Sequence, residues 1–130
     1  MRVTAHSEYH PLDLVYLKRI QDGFISQEKI DQEWQILNYL NRPIIDIAQR
    51  EYTIFEKILM EQGTHVKYFE QDPATGMDSI YCRDASILTD FGAIICNMGK
   101  DERATEPEAQ RINDIAQGIP ILGTIEPPGT

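Results

Sequence analysis

The stretch "DSIYCRDASILTDFGAIIC", residues 78–96, decides the fold. Apolar and polar residues alternate on either side of Asp90-Phe91-Gly92. That pattern predicts two strands, Ile80 to Thr89 and Ala93 to Met98, joined by a three-residue loop that ends in Gly. The first strand opens on a cluster of chemistry: Asp78, Cys82, Arg83 and Asp84. Alternation puts Asp78 and Asp84 on one face and Arg83 on the other. Such a cluster suits a structural ion pair, a metal or nucleophile site, or a pocket for a cationic ligand.

Upstream, "LDLVYL" (12–17) reads as a first strand, and Asp22-Gly23 as a turn. A helix starts near Glu28, with Ser26 as its cap and Ile30, Trp34, Leu37 and Asn38 roughly on one stripe. Pro43 interrupts it, because Arg42 cannot stay helical before proline. Ile45 to about Gln62 is the clearest helix. Ile45, Ala48, Tyr52, Phe55 and Leu59 follow helical spacing, and Gly63 stands where a left-handed terminator belongs. "THVKYFE" reads as a strand and "QDPATGMD" as a loop.

Downstream, a helix runs from about Thr105 to Gln117. Thr105 with Glu108 has capping-box spacing, Pro107 suits an early turn, and Gly118 closes the helix. "IPILGTI" is a last strand. Helices lying between strands predict an α/β architecture. Both halves run helix, Gly, short strand, which is either an internal repeat or simply what αβ units look like.

The 130 residues suit one domain, and the apolar share of 42% is enough for a core. The formal net charge of -9 argues against nucleic acid as the main partner and is compatible with a cationic small molecule. The N-terminus has no signal pattern, and no apolar run approaches the ~20 residues a membrane span needs. Two cysteines imply no disulfide framework, so a cytoplasmic setting is expected.

Pairing Thr89 with Ala93 puts Cys82 opposite Lys100 and Cys96 opposite Ser86. The thiols are then ~14 Å apart, beyond disulfide reach. Cys96 reads as a core cysteine. Cys82 gains little from Arg83, because strand neighbours point to opposite faces. His6 and His10 have helical metal spacing, but Pro11 follows and no carboxylates frame them, so both read as surface residues, with His65 scattered apart from them. "GKDER" lacks the fingerprint of a phosphate loop. No metal or cofactor is expected. A strand-borne Asp84 would anchor a guanidinium well, since a carboxylate accepts two parallel hydrogen bonds from one; it would equally suit an internal arginine. Six residues of straight strand span ~20 Å, so Asp78 and Asp84 share a small ligand only if the chain bends between Asp78 and Tyr81.

"DSIYCRDASILTDFGAIICNMGKDERATEPEAQ" resembles the guanidino-group-modifying superfamily, which includes dimethylarginine dimethylaminohydrolase, arginine deiminase and glycine amidinotransferase. The matching pattern is Asp78, Arg83-Asp84, the hairpin Thr89-Asp90-Phe91-Gly92, then Arg103 with Glu106 and Glu108. "EYHPLDLVYL" and "AQREYTIFEKILMEQGTHVKYF" also resemble the start of such enzymes, so the likeness covers nearly the whole chain. It implies that Asp84 grips a substrate guanidinium and that Asp78 is a second substrate acid near the pocket entrance. It implies that Arg103 meets the substrate carboxylate. Arg83 stands where one branch carries a substrate-contacting glutamate.

The resemblance also implies a partial α/β-propeller, pentein-like, with about two αβ units of a fivefold pseudo-symmetric fan. Residues 1–130 are then a single incomplete domain, the N-terminal portion of a longer catalytic one. The family reaction is attack by a cysteine thiolate on the guanidinium carbon, with a histidine moving protons. Neither Cys82 nor Cys96 stands at the nucleophile's place, and no residue matches that histidine. The expected partners are an arginine-like substrate and either a second copy or the missing C-terminal half. The alternative is a non-catalytic guanidinium- or amine-binding module, or an oligomerisation module.

Overall fold

The computed structural model describes Ser7 and residues 9–130; His6 and its spacing to His10 lie outside that range. The chain divides into two compact units, Pro11–Ile80 and one built on Tyr81–Thr130.

In the first unit, β1 (Leu14–Leu17) pairs in parallel with β2 (His65–Tyr68), with Val15 opposite Val66. Between them come α1 (Ile20–Gly23), α2 (Gln27–Glu33) and α3 (Ile45–Glu61). The Asp22-Gly23 turn is in fact the end of α1. Gly23 is needed there because a Cβ would come within 2.6 Å of Ile80 Cγ2. Ser26 caps α2 as expected, its Oγ accepting from Lys29 N at 3.2 Å. Helical turns continue to Leu37 and stop at Asn38, which is left-handed at φ 64°. α3 has no cap of its own at Ile44. Its first amide, Ile45 N, instead donates to Gln27 Oε1 at 3.0 Å.

The core of this unit is Ile20, Phe24, Ile30, Leu37 and Met77. Trp34, Ile45, Ala48 and Tyr52 pack against it. α3 buries no residue completely: Ile54 and Ile58 on its other side are exposed.

In the second unit the sheet order is β3-β4-β5. β3 (Ser86–Thr89) and β4 (Gly92–Ile95) form the antiparallel hairpin, and β5 (Ile121–Thr124) lies parallel to β4. α4 (Glu106–Ala116) connects β4 to β5 and packs on the sheet. The small core is Ala93, Ile95 and Ile119, with Ile121 against it.

The hairpin corrects the expected one in two ways. Thr89 pairs with Gly92, so the loop is Asp90-Phe91 and the register moves by one residue. Thr89 Oγ1 organises it, accepting from Phe91 N and donating to Gly92 O. Cys96 therefore faces Ala85, to whose carbonyl its amide donates at 3.0 Å, and it is half-buried rather than a core residue. Second, residues 80–84 are not strand. Two 3-10 turns, Met77–Ile80 and Cys82–Asp84, replace it. Their amides are satisfied locally, Ser79 N by Gly76 O and Asp84 N by Tyr81 O, which removes the need for a ladder partner.

Each unit thus contains strand, helix and parallel strand, and the two helices end alike. Gly63 (φ 84°) and Gly118 (φ 77°) are both left-handed. Thr64 N donates back to Leu59 O, and Ile119 N to Asp114 O, the long bond of a Schellman motif in each case. The αβ architecture is as expected. Among the described residues no helix is long and apolar enough to cross a membrane.

Candidate functional site

Three of the four residues singled out in the sequence meet in the second unit. The turn Cys82–Asp84 is pinned at both ends by buried Gln110 of α4. Gln110 Nε2 donates to Cys82 O at 2.5 Å, and Gln110 Oε1 accepts from Ser86 Oγ at 2.7 Å. A second 3-10 turn, Asp101–Arg103, delivers Arg103 to the start of α4.

There Arg103 meets two acids. Its Nε donates to Glu106 Oε2 at 2.8 Å and its Nη2 to Glu106 Oε1 at 2.7 Å, a two-bond fork. Its Nη1 donates to Asp84 Oδ2 at 2.8 Å, and Nη2 also reaches Tyr81 O at 3.3 Å. Glu106 is the first residue of α4, so the positive end of the helix stabilises its charge as well. This salt bridge, not the expected Thr105 side chain, marks the helix start: Thr105 makes no capping bond. The two acids hold the Arg103 guanidinium pKa far above its usual value, Glu106 foremost, against the opposing effect of burial.

Exposure differs sharply along this chain of charges. The Glu106 side chain is 3% exposed and that of Arg103 11%, whereas Asp84 keeps 37%. Two carboxylates around one guanidinium leave a net charge of about -1, and the solvent-facing member is Asp84. Its Oδ1 has Arg83 Nε at 3.9 Å, beyond hydrogen-bond length, on a side chain that is 93% exposed. Such a contact is largely screened by water. Arg83 and Asp84 are consecutive residues of a 3-10 turn and not opposite faces of a strand, which corrects the alternation argument.

Asp78 belongs to the first unit, in the turn Met77–Ile80, and is buried between buried Met77 and Ser79. That turn is held by Glu33 of α2, whose Oε2 accepts from Met77 N at 2.8 Å. Nearby in the same unit, Lys18 is buried just after β1 and its Nζ donates to Thr75 Oγ1 at 3.4 Å.

Neither Cys82 nor Cys96 is in a disulfide. Burial, and then the charge of Asp84, push the Cys96 thiol pKa upward, which keeps it protonated and poorly nucleophilic. Among the described residues no group of three or more His, Cys, Asp or Glu side chains could hold a metal ion. The first unit also has an open apolar groove of about 370 Å³, lined by Phe24, Tyr52, Phe55 and Ile80 with Glu51.

Sequence reasoning missed Gln110 and Lys18. Gln110 could have been found, because it lies four residues after Glu106 on the same helix face. Nothing local marks Lys18, whose burial depends on Thr75, distant in sequence.

No family model matches the chain, and no curated protein matches it. Among solved structures, one of dimethylarginine dimethylaminohydrolase in adduct with S-methyl-L-thiocitrulline is similar, with a TM-score of 0.62 and 21% sequence identity. The likeness covers 90% of this chain and 42% of that one, so the chain spans less than half the length of that enzyme. At this identity the likeness is one of fold: the chain is an α/β protein built like part of dimethylarginine dimethylaminohydrolase.

Proposed function

We propose that this chain carries the guanidinium-gripping part of a guanidino-group hydrolase or amidinotransferase. Asp84 is the acid that receives the ligand. The observation that carries the reading is Asp84 itself, a carboxylate on a short turn that accepts from Arg103 through Oδ2 and whose side chain keeps 37% exposure. The ligand class is arginine-like, since a planar guanidinium matches a carboxylate with two parallel hydrogen bonds.

On this reading residues 1–130 form a single incomplete domain, about two of the five αβ units of a propeller. The duplicated helix–glycine–parallel strand units support it. Thiolate attack and proton transfer belong to residues outside those matched here. Cys82 and Cys96 take no part, and the chain alone binds without turnover.

One open acid gives weak binding, with a dissociation constant of roughly 1 mM or above. Nuclear magnetic resonance titration with arginine and methylated arginines measures it. Amide shifts are expected around Asp84 and Gln110, and Asp84→Asn should abolish them. Shifts that survive Asp84→Asn would sink the pocket assignment. Low-micromolar binding by these residues alone would favour a self-sufficient binding module. A second reading, a purely structural ion pair, is favoured by the 2.8 Å bond from Arg103 to Asp84. It predicts no ligand-induced shift at all.

A further inference from the structure

We propose that the groove of the first unit, between α1 and α3, binds a small organic cation in which an aryl body carries an ammonium group. The proposal is separate from the reading of Asp84 and stands without it.

Shape comes first. The groove has a volume of about 370 Å³, inside the range of small-molecule pockets, ~300–1,000 Å³. Two of its walls, Ile20 and Phe24, are core residues only 4% and 3% exposed. A third wall, Pro43, is held by one side chain. Gln27 Nε2 donates to Pro43 O at 3.1 Å, while Gln27 Oε1 accepts from Ile45 N at 3.0 Å. The groove is therefore formed before a ligand arrives, which removes part of the ordering cost of binding.

Chemistry narrows the ligand. Tyr52 and Phe55 line the groove together, with ring centroids 5.7 Å apart and an interplanar angle of 74°. With Phe24 they supply three aromatic rings, which pack on another ring and attract a cation over their faces. Among the described residues Glu51 is the only charged one in the lining. It lies one helical turn before Phe55, on the same side of α3. Elsewhere in this unit Asp22, Asp31, Glu33 and Glu61 each have a basic partner: Arg19, Arg42, Lys29 and Lys57. Among the described residues the Glu51 carboxylate has no such partner. A neutral ligand leaves that charge uncompensated beside apolar surface, and an anion is repelled by it. An ammonium on an aryl body satisfies both the carboxylate and the rings. Arginine fits poorly here, because its own charged α-carboxylate meets no cation in the lining.

The test uses two probes of nearly equal size: 2-phenylethylamine, charged at neutral pH, and 2-phenylethanol, which is not. Nuclear magnetic resonance titration of the chain follows the ring protons of Phe24, Tyr52 and Phe55. The amine should bind with a dissociation constant on the order of 1 mM. The alcohol should bind about threefold more weakly, the scale of one solvent-exposed ion pair, and added salt should narrow the difference. Glu51→Gln, at an exposed position, should bring the amine down to the level of the alcohol and leave the alcohol unchanged. Phe55→Ala should weaken both probes, and Phe55 is 45% exposed, so the fold should survive the change.

Equal affinity for the two probes, unaltered by Glu51→Gln, would show a groove that takes neutral apolar molecules and would overturn the proposal. Probes that leave the three rings unmoved overturn it as well. So do ring shifts that depend on chain concentration without any probe, since a second copy of the chain would then cover the groove.

Discussion

The Arg103 fork concentrates the energetics of the second unit on one buried acid. Glu106→Gln removes the charge partner of a guanidinium that stays largely buried. We expect a loss of about 2 kcal/mol, the scale of hydrogen bonds to charged groups. Urea unfolding measures it, and a loss within experimental error would mean that Glu106 does not anchor Arg103. Cys96 gives an independent probe of the same charge. Asp84 contributes to raising its thiol pKa, after burial. Asp84→Asn should lower that pKa and speed alkylation of Cys96 near neutral pH, in a Cys82→Ser background that removes the other thiol. An unchanged or slower rate contradicts it.

Asp114 makes a pH prediction of the opposite kind. It is buried on α4, and its Oδ2 has no hydrogen-bond partner. Burial raises its carboxyl pKa above the ordinary aspartate value. The folded state thus favours the protonated acid. The stabilising contribution is complete below the unfolded aspartate value and is lost as pH rises through the raised folded one. At neutral pH Asp114→Asn should stabilise the chain, because the amide buries no charge. The advantage should shrink as the pH falls through the carboxylate range. Thermal melts at a series of pH values test this, and an advantage that persists below pH ~3 contradicts it.

At the level of elements, what could be read beforehand was what local chemistry dictates. α3 and its Gly63 stop, the Ser26 cap, α4 with Gly118, and the strands β1, β2 and β5 all follow from periodicity and terminators. Residues 80–84 misled, because Ile80, Tyr81 and Cys82 carry the side chains of a strand. Their backbone turns instead, and Gln110, far along the chain, holds the turn. The hairpin register shifted for a similar reason. Gly92 must lie against β5, where a Cβ would stand 2.3 Å from Pro120 O. The glycines therefore separate into two kinds. At Gly63 a Cβ meets nothing within 4 Å, so Gly63→Ala should cost only the left-handed penalty, about 1 kcal/mol. Gly92→Ala should cost about 3 kcal/mol through overpacking. Equal losses in unfolding experiments would refute the distinction. The pairing of Asp84 with Arg103 was visible in neither periodicity nor spacing, because it joins two separate turns.

At the level of the whole molecule the two units are unequal. The first buries five large apolar side chains in one cluster; the second buries Ala93, Ile95 and Ile119. Apolar burial sets much of local stability, so amides of β3 and β4 should exchange with solvent faster than those of β1 and β2. Hydrogen exchange resolved by residue would show it, and the reverse order would mean that the ion-pair chain outweighs the smaller core. Ile54 is exposed on α3, so Ile54→Lys should change stability by no more than about 0.5 kcal/mol. A larger loss would reveal a covered helix face.

The matched helix ends have a consequence for chain length. At Gly63 the amides are tied back to α3, and two residues later His65 N already donates to Asp13 O at 2.7 Å. The joint has no slack. One inserted residue there must either undo the helix end or slip β2 by one position, which would turn every side chain of the strand to its opposite face. Glu70 and Gln71, exposed just after β2, carry no such double tie. Insertions and deletions should accordingly be accepted there and rejected between Glu61 and His65, which makes the helix end a ruler for the strand that follows it.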